Sequence, residues 1–205
     1  MRPPQWLTVL TLTAGALTHR AGATQDPRLG RRLDSATVIV LGTVIDSARS
    51  VGLPVEPLVQ RALEGAAKRA APARILVAVR LLADELGIAR TALGPASAPA
   101  ELVAAASALR AGVRPTDLTQ LRRRRGAGLT VSLAAVTDLV TSGVPPDSAA
   151  AAVLALAALA GDDQIVDFRR AVERDIALGA PPAAAAAIRV NAALRDGSPV
   201  PSRRP

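Results

Sequence analysis

A short punctuation pattern recurs along this chain and constrains its fold more than any other feature. A glycine is followed by a small apolar residue and then by a proline at the next position or the one after. The pattern occurs as Gly52-Leu53-Pro54, Gly112-Val113-Arg114-Pro115, Gly143-Val144-Pro145-Pro146 and Gly179-Ala180-Pro181-Pro182. Glycine ends a helix by adopting the left-handed conformation, and proline opens the next helix because its missing N–H costs nothing there. The pattern therefore predicts consecutive helices joined by tight turns.

Between these turns the apolar residues follow helical spacing. The clearest stripe is Ile165, Phe168, Val172 and Ile176, which recur every three or four positions and so share one helical face. Similar faces are predicted at Leu58/Ala62/Leu63/Ala66, Ile75/Val79/Leu82/Leu86, Leu102/Ala106/Leu109, Leu118/Leu121, Leu129/Leu133/Val136/Val140, Val153/Leu156/Ala157 and Ile188/Ala192/Leu194. No later stretch alternates apolar and polar residues as a half-buried strand would.

The first segment of the domain, residues 35–50, is ambiguous from residue type alone. The run Val38-Ile39-Val40-Leu41 favours a strand. However, the apolar residues of this segment also fall on one helical face, and Asp34 or Ser35 is placed to cap its start: Leu33, Leu41, Val44, Ile45 and Ala48. We predict a helix, because everything downstream is helical.

These features predict an all-α fold in which about nine short helices form consecutive hairpins. We expect a single helical domain over residues 33–195, preceded by a flexible lead-in at 24–32 and followed by a disordered Pro/Arg tail at 196–205. From Gly112 onward, consecutive turns lie roughly 30 to 36 residues apart, close to the length of helix–turn–helix repeats, although the period is irregular along the whole chain. An irregular α-solenoid and a compact helical bundle both fit this pattern.

Residues 1–23 have the composition of a secretory signal peptide. Arg2 is followed by an apolar run from Trp6 to Leu17 and by the small residues Ala21-Gly22-Ala23, the order in which signal peptidase substrates are built. An uncleaved N-terminal anchor is the alternative, although the apolar run is short for a bilayer span. We expect an exported protein, periplasmic or extracellular, with no transmembrane span in the mature chain.

The mature chain would be poor in reactive side chains. The chain contains no Cys or Tyr, and its only His and Trp lie within residues 1–23, which leaves Phe168 as the one aromatic ring. Zinc and other transition metals favour His and Cys ligands, and most acid–base or nucleophilic catalysis uses the same groups. We therefore predict no enzymatic activity, no cofactor and no metal.

Carboxylates are the remaining acid–base groups, and three of them cluster at one helix start. Asp162, Asp163 and Asp167 could in principle serve glycoside hydrolysis, or Asp163 and Asp167 could share a Ca²⁺. The usual calcium-loop spacing and the sugar-stacking aromatic residues are absent. We interpret Asp162 and Asp163 as N-cap and first-turn acids.

The sharpest local feature is the run Arg122-Arg123-Arg124-Arg125, which we identify as a candidate anion-docking patch. Arginine pairs bidentately with phosphate and carboxylate. The alternative is a solvated helix end, where positive charge is favourable with the helix dipole. The arginine excess also fits the mutational bias of a GC-rich genome, since Lys68 is the only lysine. No aromatic residues interleave with the arginines, which argues against nucleic acid as a partner.

Several segments resemble exported, alanine-rich helical proteins of GC-rich bacteria, which have no assigned activity. The segments are Gly52-Leu53-Pro54 through Leu63-Glu64-Gly65, Leu139-Val140 through Gly143-Val144-Pro145, and Val172-Glu173-Arg174-Asp175-Ile176 followed by Gly179-Ala180-Pro181-Pro182. The resemblance extends over most of residues 35–195 and implies an all-helical fold and export, with no catalytic residue.

The residues and the resemblance together favour a non-catalytic secreted or periplasmic scaffold that binds another protein or itself. The alternative is an envelope module that docks on anionic lipid or polysaccharide through Arg122–Arg125.

Overall fold

A computed structural model describes residues 26–196, and over this range the chain forms ten helices and no strand. The all-α prediction is confirmed. The predicted signal peptide and residues 197–205 of the predicted tail lie outside the described residues. The helices are α1 (Pro27–Gly30), α2 (Ser35–Ser50), α3 (Glu56–Ala67), α4 (Pro72–Leu93), α5 (Pro99–Arg110), α6 (Pro115–Arg125), α7 (Thr130–Thr141), α8 (Pro146–Leu156), α9 (Asp162–Ala177) and α10 (Pro182–Asp196).

Three of the four predicted glycine turns place the proline as the sequence predicts. At Gly52 the positive φ of 73° forms, but α3 begins at Glu56 and not at Pro54, so the predicted helix start is wrong there. Gly112, Gly143 and Gly179 have φ angles of 96°, 95° and 97°, where a side chain would be strained. After Gly143, the N–H of Val144 donates to the carbonyl of Leu139 at 3.0 Å, the long-range bond of the Schellman motif. Val144 is buried against the last turn of α7. The turn therefore satisfies helix-end carbonyls and directs the chain back.

A further turn with the same geometry has no glycine. Arg69 follows α3 with a φ of 51°, and the N–H of Ala70 donates to the carbonyl of Gly65 at 3.0 Å. Pro72 then opens α4 three positions after Arg69. The same three-residue offset separates the glycine from the helix-opening proline in the turns before α6, α8 and α10, so four hairpins share one register.

The helices are arranged in two layers. In the layer of even-numbered helices, α2, α4, α6, α8 and α10 each pack on the next, and odd-numbered helices pack against this layer. Every pair of described helices that packs closely is separated by one or two positions in the chain. This nearest-neighbour pattern is typical of an irregular α-solenoid, one of the two forms that the sequence left open.

One continuous aliphatic core runs through the stack. Leu58, Leu86, Leu102 and Leu133 are almost completely buried, as their helical spacing predicts. The predicted face of α10 is wrong at Ile188, which is 64% exposed, because the helix buries Ala185 and Ala186 instead, whereas the predicted Leu194 packs partly buried against the core. Helical periodicity identifies an apolar face, but it does not show whether a neighbour covers that face.

The lead-in prediction is also corrected for its described part. Residues Pro27–Gly30 form a short helix whose Leu29 is only 1% exposed. The guanidinium of Arg28 donates to both carboxylate oxygens of Glu56, at 2.9 and 2.8 Å. An ion pair and one buried leucine therefore hold α1 on the stack.

Segment 35–50 is helical, as predicted.

Candidate interaction surface

The outward face of α4 carries an apolar stripe. Val77, Leu81 and Ile88 are all exposed, and their spacing of four and seven residues places them on one side of the helix. The opposite side of α4 buries Ile75, Val79, Leu82 and Leu86 in the core, listed here from first to last turn. A helix that is apolar on its solvent side as well as its core side is typical of a surface that another molecule covers.

A groove of about 590 Å³ lies between α4 and α6, beside this stripe. Its lining is made of small side chains: Ala83, Asp84, Gly87, Ile88, Thr91, Ala92, Pro115, Thr116 and Thr119. The hydroxyl of Thr91 donates to the carbonyl of Gly87 at 3.0 Å, and that of Thr119 to the carbonyl of Ala92 at 3.1 Å. These bonds satisfy two of the three threonine hydroxyl donors of the groove within the protein. The exposed Thr116 makes no such bond to a described residue, so its hydroxyl is the one threonine donor that the groove offers a ligand.

Asp84 is the one charged residue among the described residues that line this groove. It is exposed, and it makes no hydrogen bond or ion pair with any described residue. A carboxylate on an otherwise uncharged floor attracts a cationic group, more strongly once a partner excludes water. The groove therefore combines aliphatic contact area with a single point of negative charge.

A second groove, of about 370 Å³, lies on the other side between α2 and α4. It shares Ala83 and Asp84 with the first groove and adds the exposed Val51 and the side chain of Arg80. Asp84 thus lies where the two grooves meet. We call these two grooves with the stripe Val77, Leu81 and Ile88 the α4 surface.

A third groove, of about 320 Å³, lies among the end of α8, α9 and α10. Phe168 and Leu156 contribute apolar surface to it. Arg189 also lines it, but both of its bonding nitrogens donate to the Asp175 carboxylate, at 2.6 and 2.7 Å. The basic group of this groove is therefore already used to join α9 to α10.

The arginine run ends α6, as predicted, and most of its side chains bond to the protein itself. Arg122 donates to Glu101 at 2.6 Å, and Arg124 donates to the carbonyl of Leu154 at 2.9 Å. Arg125 donates to the carbonyl of Ala160 at 2.9 Å and pairs with Asp162. Arg123 is exposed. The run thus connects α6 to α5, α8 and α9, and anion docking by Arg122–Arg125 stays a prediction.

The sequence did not identify Glu101, which organises the interior end of this run. Glu101 is 4% exposed. Besides the bond from Arg122, its carboxylate accepts hydrogen bonds from the N–H of Ala98 at 3.1 Å and from the N–H groups of Gly128 and Leu129 at 2.9 Å. Burial alone would raise the pKa of Glu101, but the bonds from Arg122, Leu129 and Ala98 outweigh it and hold the pKa below its usual value. Glu101 lies three residues after the N-cap Ala98 and accepts from its N–H, which is one half of a capping box, because alanine has no side-chain acceptor for the other half. The contacts of Glu101 across the stack leave no local trace in the sequence.

The acidic cluster of α9 lies at the helix start. Asp162 and Asp163 occupy the first turn, where negative charge is favourable. The N-cap prediction for them is wrong by one residue, because Gly161 is the N-cap and its N–H donates to the Gln164 side chain at 2.9 Å. Among residues 26–196, no group of three or more metal-ligating side chains comes together.

No helix in the described range combines the length and apolar character needed to cross a bilayer. No protein-family model, curated protein or solved structure matches this chain.

Proposed function

We propose that this protein is a non-catalytic helical scaffold, exported to the periplasm or the cell exterior, that binds another protein through the α4 surface. The observation that carries the proposal is the groove between α4 and α6, where the unpartnered carboxylate of Asp84 lies beside exposed aliphatic side chains and two of the three threonine hydroxyl donors are already used. Export rests on the composition of residues 1–23.

The chemistry of the groove favours an amphipathic helix as the bound segment. Small residues such as Ala83 and Gly87 allow a helix to approach closely, and Leu81 and Ile88 offer aliphatic contacts along the groove. Helix-in-groove recognition uses apolar anchors at positions one turn apart. A Lys or Arg on the partner helix would pair with Asp84. We therefore propose a partner helix with aliphatic anchors and one basic residue.

The absence of reactive side chains from the sequence supports the non-catalytic part of the proposal. Residues 24–205 contain no His, Cys or Tyr, so an acid–base or nucleophilic site would depend on carboxylates, hydroxyls or Lys68. The carboxylates with the lowest exposure, Glu85, Glu101 and Asp117, each accept hydrogen bonds from an arginine. For Glu101, the bonds from Arg122, Leu129 and Ala98 outweigh burial and hold the pKa below its usual value, which disfavours its use as a general acid.

Affinity capture with matched variants tests the proposal. The full-length chain is expressed with a C-terminal tag in its native organism, as wild type, Ile88→Glu and Ile39→Glu. Ile88 lines the groove, whereas Ile39 is equally aliphatic and exposed on α2 but lines neither groove. We expect a partner that is recovered with wild type and Ile39→Glu and is reduced about tenfold or more with Ile88→Glu.

Equal recovery with the two variants would refute the α4 surface as the binding site. Asp84→Asn then isolates the charge, because it keeps the shape of the side chain. We expect Asp84→Asn to bind the partner more weakly than wild type does. We also expect added salt to lower the affinity of Asp84→Asn less than that of wild type, since the Asp84 charge that salt screens is present only in wild type. Osmotic-shock fractionation of the same cells tests export, and recovery of the chain only with the cytoplasm would refute that part.

Docking on anionic lipid or polysaccharide is the weaker proposal. Arg122, Arg124 and Arg125 all donate to protein groups, which leaves Arg123 as the run member with the most accessible charge. Arg123→Ser is the appropriate variant because it spares the internal bonds. Unchanged binding of this variant to anionic vesicles or acidic polysaccharide would remove the proposal.

A further inference from the structure

The repeated turns of the stack cover one another, except at the last one. A Cβ built on Gly112 would lie 3.2 Å from the Cγ of Pro146, and one built on Gly143 would lie 3.4 Å from the Cγ of Pro182. The proline of each following turn therefore packs on the preceding glycine. For Gly179, no described atom lies within 4 Å of the corresponding Cβ position. At the end of the stack, therefore, no described proline packs on Gly179, the glycine of the last turn.

The side chains of α10 indicate the same open position. In α6, α8 and α10 the residue six positions after the helix-opening proline is Leu121, Ala152 and Ile188, in that order. Leu121 is 3% exposed and Ala152 is 6% exposed, whereas Ile188 is 64% exposed. The same helical position is thus buried in α6 and α8 but exposed in α10, at the end of the stack, where it carries an isoleucine.

The whole outer face of α10 lacks charge over its first turns. Ala183, Ala184, Ala187 and Asn191 are exposed beside Ile188. Terminal repeats of soluble solenoids carry a polar outer face, because no neighbour covers them. Such an uncovered apolar face favours association.

The opposite end of the stack is charged. Asp26 and Glu56 both pair with Arg28, and Arg31 and Arg32 are exposed beside them. Head-to-tail stacking would place the apolar face of α10 against these groups and remove them from water, which is costly. Two open ends, in contrast, cover each other around a two-fold axis and form a closed dimer.

We propose that the outer face of α10 is a self-association surface on which α10 of a second copy packs in antiparallel orientation. The alanines allow the two helix axes to approach closely, and Ile188 of each copy supplies the main aliphatic contact. Residues 197–205 contain one aliphatic side chain, Val200, and two arginines, too little apolar surface to replace a hairpin. The surface is separate from the α4 surface, so the inference stands independently of the proposed function.

Sedimentation equilibrium of the purified chain tests the dimer. We expect the mass to rise towards twice the monomer value between about 1 and 100 µM, the range typical of a small interface. Ile188→Glu should raise the dissociation constant about tenfold or more, because two carboxylates would meet at the axis. Ile39→Glu, at the charged end, and Ile88→Glu, in the α4/α6 groove, should leave it unchanged.

Three results would overturn the proposal. The first is a monomer at every concentration, and the second is an equal effect of Ile188→Glu and Ile39→Glu. The third is a monomeric full chain that dimerises only after truncation behind Asp196, which would make residues 197–205 the occupant of this face. Unchanged helical circular dichroism confirms that each variant is folded, and Ala187→Arg provides a second substitution on the same face.

Discussion

Replacing Glu101 by glutamine should destabilise the chain more than the same replacement of an exposed carboxylate such as Glu64. Glu101 lies in the first turn of α5, and its carboxylate joins that turn to Arg122 at the end of α6 and to the N–H groups of Gly128 and Leu129 at the start of α7. One side chain thus joins three helices, and its residue is only 4% exposed.

The magnitude follows from which partners water can replace. Ala98 and Gly128 are exposed, so their N–H groups can bond to water, whereas Leu129 is fully buried. Breaking a buried charge pair costs about 3–5 kcal/mol, but the Arg122 side chain is 23% exposed and can partly rehydrate. We therefore expect Glu101→Ala to cost about 3–4 kcal/mol. Glu101→Gln keeps one acceptor oxygen and loses the charge, and should cost about 1.5–3 kcal/mol.

Urea unfolding followed by far-UV circular dichroism measures these losses. Glu64→Gln is the matched control, because Glu64 is exposed on α3 and lies 3.7 Å from Arg61, and it should cost less than about 0.5 kcal/mol. The lowered pKa of Glu101 fixes the sign of the pH dependence. Its stabilisation is present above the ordinary value of 4.5 and is lost as the pH falls through the lower folded-state pKa. A loss for Glu101→Gln equal to that of the control would refute the role of Glu101.

Three further predictions address the turns, the core and the first helix. Arg69→Gly should raise the free energy of unfolding by about 1 kcal/mol, because glycine tolerates a φ of 51°, whereas Gly143→Ala, at a φ of 95°, should lower it by about 1–2 kcal/mol. A decrease for Arg69→Gly or an increase for Gly143→Ala in urea unfolding would contradict the turn geometry. Leu133→Ala should cost about 2–5 kcal/mol, since Leu133 is fully buried, and a loss below about 1 kcal/mol would contradict the assigned core. Hydrogen bonds from Arg28 and then from Gln60 lower the pKa of Glu56 to about 2, so an NMR titration should show that pKa raised towards the ordinary glutamate value in Arg28→Ala, and an unchanged value would contradict the Arg28 contact.

The sequence predicted the turns and most helix faces because both are set by local chemistry. A glycine at a positive φ and a proline at the first helical position act within a few residues, so the patterns around Gly112, Gly143 and Gly179 were sufficient. Before α4, the pair Ala71-Pro72 gives a weaker signal for a helix start, and α4 does begin at Pro72. The left-handed residue of that turn, Arg69, was missed because it carries a side chain.

The candidate surfaces could not be predicted in the same way, since they depend on which helices are neighbours. Val77, Leu81 and Ile88 are ordinary apolar residues in the sequence, and only the packing of α2 and α6 beside α4 shows that they remain outside. The arginine run was identified, but its bonds to other helices connect residues 21 to 37 positions apart in the chain. Those contacts between helices leave no local signal in the sequence, and anion docking by the run stays a prediction.

Site-specific photo-crosslinking in the native organism tests most directly whether the protein binds a partner protein through the α4 surface. A photoreactive residue replaces Ile88 in the α4/α6 groove in one strain and Ile39 on α2 in another, and adducts are resolved by mass. We expect a discrete protein adduct from position 88 in the fraction released by osmotic shock or secreted into the medium, and little or none from position 39. No adduct from position 88, or adducts of equal yield from both positions, would contradict a scaffold that binds its partner through the α4 surface.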